Sequence, residues 1–171
     1  MSETFKEYLI KQKKSSKDNL AQVGVIVGAA LLILLVFTFL QGFLGTALIV
    51  GIVFLTIMIF SSFNKEYEYI LTNNELDIDV VYNQSRRKRV MTIDIKKIEV
   101  MASIKDERHQ AELNKSYKVV NASDNNNDET TYAIMTQNPE MGACKVLISP
   151  NEHFLVDLYK QAPNKVFKKM N

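Results

Sequence analysis

The chain has 171 residues and a formal net charge of only +2, a near-neutral sum that hides a sharp division of charge along the sequence. Residues 64–171 carry 16 basic and 16 acidic side chains, which excludes the broad cationic surface that non-specific nucleic-acid binding needs. One cysteine rules out an internal disulfide, and one Cys with two distant His makes no zinc site.

In chain order, residues 1–18 read as a basic cytoplasmic tail with Lys6, Lys11, Lys13, Lys14 and Lys17 against Glu3, Glu7 and Asp18. Leu20 to Phe63 then contains no Asp, Glu, Lys or Arg. That run is about twice the roughly 20 residues a helix needs to cross a bilayer. "LQGFLGT" interrupts it near the centre, and Gly42 and Gly45 favour a turn while Gln41 suits an interface. Residues 19–63 are therefore expected to form a two-helix transmembrane hairpin, Asn19–Leu40 and Phe43–Phe63, with every backbone polar group bonded inside its own helix. A cleaved signal peptide fits poorly, because the polar lead is long, no A-x-A site follows and a second apolar segment comes next. A buried hairpin would need a larger core than about 110 remaining residues can build.

The flanking lysines and Lys65, set against a connection without positive charge, place both ends in the cytoplasm by the positive-inside rule. Within the spans, Gly24 and Gly28 form a GxxxG and Ala47 and Gly51 a small-xxx-small pair, two faces suited to close helix packing, within the hairpin or between copies. No ionisable residue lies inside the apolar run, so a proton relay or ion pathway has nothing to work with.

Residues 64–171 read as a cytoplasmic, mainly β domain. "YEYILT" alternates Tyr67, Tyr69 and Leu71 against Glu66, Glu68 and Ile70, and "ELDIDVVY" alternates Leu76, Ile78 and Val80 against Glu75, Asp77 and Asp79. Arg86–Ile93 is a third strand and "KKIEVMA" a fourth; residues 103–116 form a polar excursion with a short helix. "YKVVNA", "TYAIMTQ" and "GACKVLIS" complete about seven antiparallel strands. "SPNE" predicts a C-terminal helix with Ser149 as N-cap, Pro150 at its first position and Glu152 closing a capping box. A meander that must hide its edges is expected to bend into a barrel capped by that helix.

The conspicuous candidate site is the run Arg86, Arg87, Lys88 and Arg89. It has three readings: cross-strand pairing with Glu75, Asp77 and Asp79, contact with anionic lipid headgroups, or recognition of a protein partner. Alternation sends the four cations to both faces, so about half can share one patch. Asp77 and Asp79 lie mid-strand without the glycine turn of a calcium loop, and read as a solvated strand face. Cys144 shares parity with Val146 and Ile148 and reads as a core residue, His109 as exposed, and no orienting group points to catalysis by Cys144 with His153. No catalytic residue, metal or cofactor is expected.

This order of elements, with "YILTNNELDI" and the basic strand leading to "IDIKKIEVM", resembles the bacterial pleckstrin-homology-like domains. The positions that look alike are Tyr69, Leu71, Thr72 and Leu76, then Ile95 and Ile98. The whole chain resembles small bacterial membrane proteins with a basic tail, a two-helix hairpin and a PH-like domain of unknown function. The resemblance implies a PH-like barrel, a membrane anchor and a binding module. Two functions are carried forward: a non-enzymatic, membrane-anchored module for a protein partner or the anionic membrane surface, and a structural or regulatory subunit docking through its helices.

Overall fold

The structure, a computed structural model, describes residues 5–126 and 130–168. The chain divides into two units, Lys14–Lys65 with the apolar helices and the remainder with the strands.

In the first unit, α1 spans Ser16–Phe39 and α2 Phe43–Ser61, and both are long and apolar enough to cross a membrane. Ser15 precedes α1, and the Asp18 carboxylate accepts from its backbone N–H at 3.0 Å, which satisfies one of the donors a helix start leaves open. Every hydroxyl of the charge-free run turns back on its own helix. Thr38 donates to the Leu34 and Leu35 carbonyls, Thr46 to Gly42, Thr56 to Ile52, Ser61 to Met58 and Ser62 to Ile59. Each hydroxyl of this segment therefore has an acceptor within its own helix, as a membrane span would require. The connection passes through Gly42 at φ +86°, a conformation that disfavours any residue with a Cβ.

The second unit holds two four-stranded sheets. One has the order β1-β2-β3-β4, from Phe5–Lys11, Lys65–Thr72, Glu75–Tyr82 and Arg86–Asp94. The other has the order β5-β7-β8-β6, from Ile98–Ser103, Tyr132–Asn138, Gly142–Ile148 and Lys118–Asn121. Within the polar excursion lies the short helix α3, Gln110–Leu113, and α4 spans Glu152–Gln161. Tyr69, Leu71, Ile78 and Ile93 from the first sheet meet Ile134, Val146 and Ile148 from the second, with Phe154 and Leu158 of α4 closing the same core. The second sheet is buried on its other face too, where Val100, Ala133 and Met135 pack with Leu113. Both parities of β7 are accordingly apolar, the mark of a strand covered on two sides.

The structure corrects the expected barrel in three respects. The sheets do not close on one another but remain two layers with α4 over the core. There are eight strands among the described residues, and β6 runs parallel to β8, whereas β1–β2, β3–β4, β5–β7 and β7–β8 pair antiparallel. The added strand is β1, in the segment expected to be a free tail. It pairs antiparallel with β2 from Phe5 opposite Thr72 to Lys11 opposite Glu66, with Tyr8 and Ile10 packed against the core.

Two strand flanks are covered. β1 covers β2, and the segment after α4 covers β5, where the Met101 N–H donates to the Lys165 carbonyl at 2.7 Å and the Phe167 N–H to the Met101 carbonyl at 2.8 Å.

The N-cap of α4 is also corrected. Asn151, not Ser149, accepts from the Phe154 N–H at 2.7 Å. Ser149 is occupied elsewhere: its N–H donates to the Tyr69 hydroxyl at 3.1 Å and its hydroxyl donates to Asp124 at 2.9 Å. Tyr69 in turn donates to the Ala122 carbonyl at 2.6 Å, so a buried phenol ties β2 to the loop after β6 and to the start of α4. The same loop holds the end of β1, since Lys13 N–H donates to the Asp124 carbonyl at 3.0 Å and Gln12 Nε2 to the Ser123 carbonyl at 3.1 Å.

Candidate functional site

Strict alternation would give Arg87 and Arg89 the parity of Met91 and Ile93, which are buried. A bulge prevents this. Ile78 lies opposite Met91 but Asp79 opposite Arg89, so Val90 is an extra residue and the parity of β4 switches there. Arg87 and Arg89 are thereby turned onto the side of the sheet that carries the acids of β2 and β3.

Each then meets carboxylates. Arg89 Nη1 lies 2.7 Å from Asp77 Oδ1 and its Nε contacts Asp79. Thr92 donates to Asp77 at 2.6 Å, fixing that carboxylate from the other side. Arg87 Nη2 reaches across to β2 and lies 2.8 Å from Glu68 Oε1 and 2.7 Å from Oε2. Arg86 and Lys88 are exposed and have no carboxylate within ion-pair distance among the described residues. The basic run thus divides into two cations committed to acids and two open to solvent.

The acids are more unusual than the cations. Glu68 is 0% exposed and Asp79 3%, although both are charged-type residues on a sheet surface. Long side chains from β4 pair with them, Arg87 with Glu68 and Arg89 with Asp79, and the Gln84 amide donates to neighbouring Glu66 at 3.3 Å. Burial, helped by a hydrogen bond with Glu7, pushes the Glu68 carboxyl up from 4.5 to about 7, while Arg87 pulls the other way. Glu7 belongs to β1, where Leu9 is the residue opposite Glu68, so the two carboxyls are diagonal neighbours across the strand pair. Sequence reasoning passed over Glu7, Glu66 and Glu68. The signal was present in the alternation of Glu66 and Glu68 against Tyr67 and Tyr69, but a polar parity reads by default as a solvated face.

The remaining sequence candidates stand apart from this cluster. Cys144 is buried, its thiol lies 3.6 Å from the Thr136 carbonyl, and burial pushes its pKa up, the wrong direction for a nucleophile. His153 is exposed on α4. His109 is half-buried, stacked on Phe167 with ring centroids 4.0 Å apart and 3.2 Å from Asp106, whose carboxyl Arg108 and His109 hold well below the usual range. Among the described residues no group of three His, Cys, Asp or Glu could hold a metal ion. Gly24, Ala47 and Gly51 are exposed and Gly28 half-buried, and a Cβ added at Gly24, Gly28 or Gly51 would meet nothing within 4 Å. The close approach in the helical unit is at Gly45, where a Cβ would stand 2.0 Å from the Leu40 carbonyl oxygen. A cavity of about 520 Å³ opens beside β4, with Val90, Met91 and Met141 among its apolar walls and Glu75, Lys97 and Glu140 among its charged ones.

A family model described as "Bacterial PH-like domain (DUF6106)" matches residues 2–168, a span that takes in β1 and both apolar helices as well as the later strands. Comparison with curated proteins and with solved structures returns no match.

Proposed function

The chain belongs to the bacterial PH-like domain family DUF6106, and on that footing we propose that it is a non-enzymatic binding module anchored in the cell membrane. Its two helices cross twice, and its PH-like domain works from the cytoplasmic side on a protein partner or the anionic membrane surface. One observation carries the anchoring: β1 immediately precedes α1, β2 follows α2, and the two strands pair in one sheet. A chain that leaves a sheet, runs through two apolar helices and returns to the same sheet has both ends on one side of a bilayer. The lysines at both ends and the absence of any at Gln41–Gly42 support the cytoplasm as that side.

Impermeant maleimide labelling in spheroplasts tests this, in a Cys144→Ser background. Gln41→Cys is expected to label in intact spheroplasts, whereas Lys14→Cys and Asn83→Cys label only after lysis. Labelling of Lys14→Cys and Asn83→Cys on opposite sides would overturn the hairpin.

For the anionic surface, Arg86 and Lys88 are the cations left open on β4, and each such charge near a membrane contributes about 1 kcal/mol before screening. Flotation of the full chain's domain face is confounded by its anchor, so the comparison is chemical-shift perturbation by neutral against anionic nanodiscs. The Arg86→Ser/Lys88→Ser variant should lose the difference. No difference in the unsubstituted chain would leave a protein partner as the ligand, and a difference unchanged by those substitutions would move the contact off β4.

A second reading, a subunit of a larger membrane complex docking through its helices, is supported by the open space at Gly24, Gly28 and Gly51 and the exposure of Ala47. Replacing the hairpin by an unrelated one separates the two, since an anchored module survives the exchange and a helix-docked subunit does not.

A further inference from the structure

The buried carboxyls on the first sheet lie where β1 is held to the domain, and that position gives them a consequence. β1 is the joint between the domain and α1; without it the domain would be linked to the helices through α2 alone. Several contacts hold it. Tyr8 packs 6.1 Å from the Tyr69 ring and 6.3 Å from Phe154, Lys6 lies 4.0 Å from Asp157, and Gln12 and Lys13 bond the loop after β6.

On the other side of the strand pair, Glu7 is the diagonal neighbour of Glu68, and a hydrogen bond between them helps to raise the Glu68 carboxyl. The charged groups around Glu68 are Glu7 from β1, Asp79 from β3 and Arg87 from β4. Glu66 lies two residues away on β2, opposite Lys11 in the register and bonded by Gln84. Arg89 is committed to Asp77 and Asp79 and adds no free charge. With Asp79 already paired to Arg89, Glu7 and Glu68 are left with one guanidinium, that of Arg87. Two ionised carboxylates cannot hydrogen-bond one another, whereas a carboxyl sharing one proton with its neighbour can.

We propose that β1 is a proton-sensitive strap: a proton held between Glu7 and Glu68 tightens the grip of β1 on β2, and its loss loosens that grip. The sign follows from the raised carboxyl. Docked β1 holds the proton more firmly than free β1 does, so its extra stability is greatest in mild acid and lost as pH rises through about 7. Above that, the Tyr8, Lys6 and Gln12 contacts remain and docking levels off. Mild acidification of the compartment that holds the domain would then stiffen the joint between α1 and the sheet.

The test is hydrogen exchange of the β1 amides in the full chain in nanodiscs, corrected for the intrinsic pH dependence of exchange. Protection of the Lys6–Ile10 amides should fall with rising pH through that window, by no more than about tenfold per pH unit, the slope of one proton. It should then level off, while the β7 amides of the second sheet hold steady. Glu68→Gln should keep β1 protected and make the profile flat. Glu7→Gln, at an exposed position, should move the fall to lower pH. A flat wild-type profile, an unaltered one in both variants, or β7 protection falling in step with β1 would each overturn the strap. Should Glu68→Gln fail to fold, an unaltered profile in Glu7→Gln alone suffices to do so.

Discussion

Tyr8 stands opposite Tyr69 in the register of β1 and β2, although both apolar helices lie between them in the chain. Their rings are 6.1 Å apart, and each also packs on Phe154 of α4. The pair thus closes a loop around the whole helical unit, and a contact between aromatic rings of this kind is worth about 0.5–1.5 kcal/mol beyond the area it buries.

Tyr8→Ala should therefore release β1 more than it harms the domain. Losing both ring contacts is expected to cost about 1–3 kcal/mol of strand docking, with the second sheet unaffected. Limited trypsin digestion reads this directly: cleavage after Lys6 and Lys11 should accelerate by roughly fivefold or more, one factor of ten for each 1.4 kcal/mol. Unchanged cleavage would mean that the Gln12 and Lys13 contacts hold the segment without Tyr8.

Tyr69→Phe probes the other end of the pair. The phenol donates to Ala122 and accepts from Ser149, and the substitution leaves a buried carbonyl and a buried N–H without it. A loss of about 1–3 kcal/mol in denaturant unfolding of the domain is expected. A change within about 0.5 kcal/mol, the range of a neutral surface substitution, would show that water replaces the hydroxyl.

Arg87 and Arg86 are adjacent in the basic run but not equivalent, and pH should separate them. Arg87→Ala leaves Glu68 buried without its counter-charge. Removing one partner of a fully buried pair costs about 3–5 kcal/mol, but Arg87 is half-exposed, so about 1–3 kcal/mol is the expected size. That cost belongs to the ionised carboxylate: it should be present above about pH 7 and fade as acid protonates Glu68. Arg86→Ala should change stability little at any pH. Denaturation midpoints of the two variants across that range decide it; a cost that does not fade in acid would assign Arg87 a packing role.

What the sequence showed, and what it hid, follows from how local each signal is. The helices were legible because the absence of charge over Leu20–Phe63 is a property of the segment itself. Most of the strands β2 to β8 were legible because a period of two is also local, and β7 as a short apolar run between polar loops. β1 was not, for its alternation of Tyr8 and Ile10 against Glu7, Leu9 and Lys11 sits among five lysines and its partner strand comes only after both helices. The bulge at Val90 was hidden for a related reason: nothing in "RRKRVMTID" marks the residue at which parity switches, and only pairing with β3 reveals it. The capping box failed on competition. Ser149 has the right spacing, but its hydroxyl is held by Asp124 and Asn151 takes the cap.

Gly45 and Gly51 offer the sharpest contrast in the helical unit. Both are glycines of α2, and small residues in membrane helices are commonly assigned to helix packing. Here the space around them differs. A Cβ at Gly45 would stand 2.0 Å from the Leu40 carbonyl oxygen and 2.9 Å from its carbon, both backbone atoms that no rotamer change can move. Gly45→Ala must shift the connection between the helices, which already passes through Gly42 at φ +86°. Gly51→Ala meets open space and gains the helix propensity of alanine, roughly 1 kcal/mol. Thermal denaturation of the helical signal in detergent should therefore show Gly45→Ala destabilised and Gly51→Ala unchanged or raised. Equal, substantial losses at the two positions would instead place Gly51 against a second copy of the chain, and the dependence of that loss on protein-to-detergent ratio would identify it.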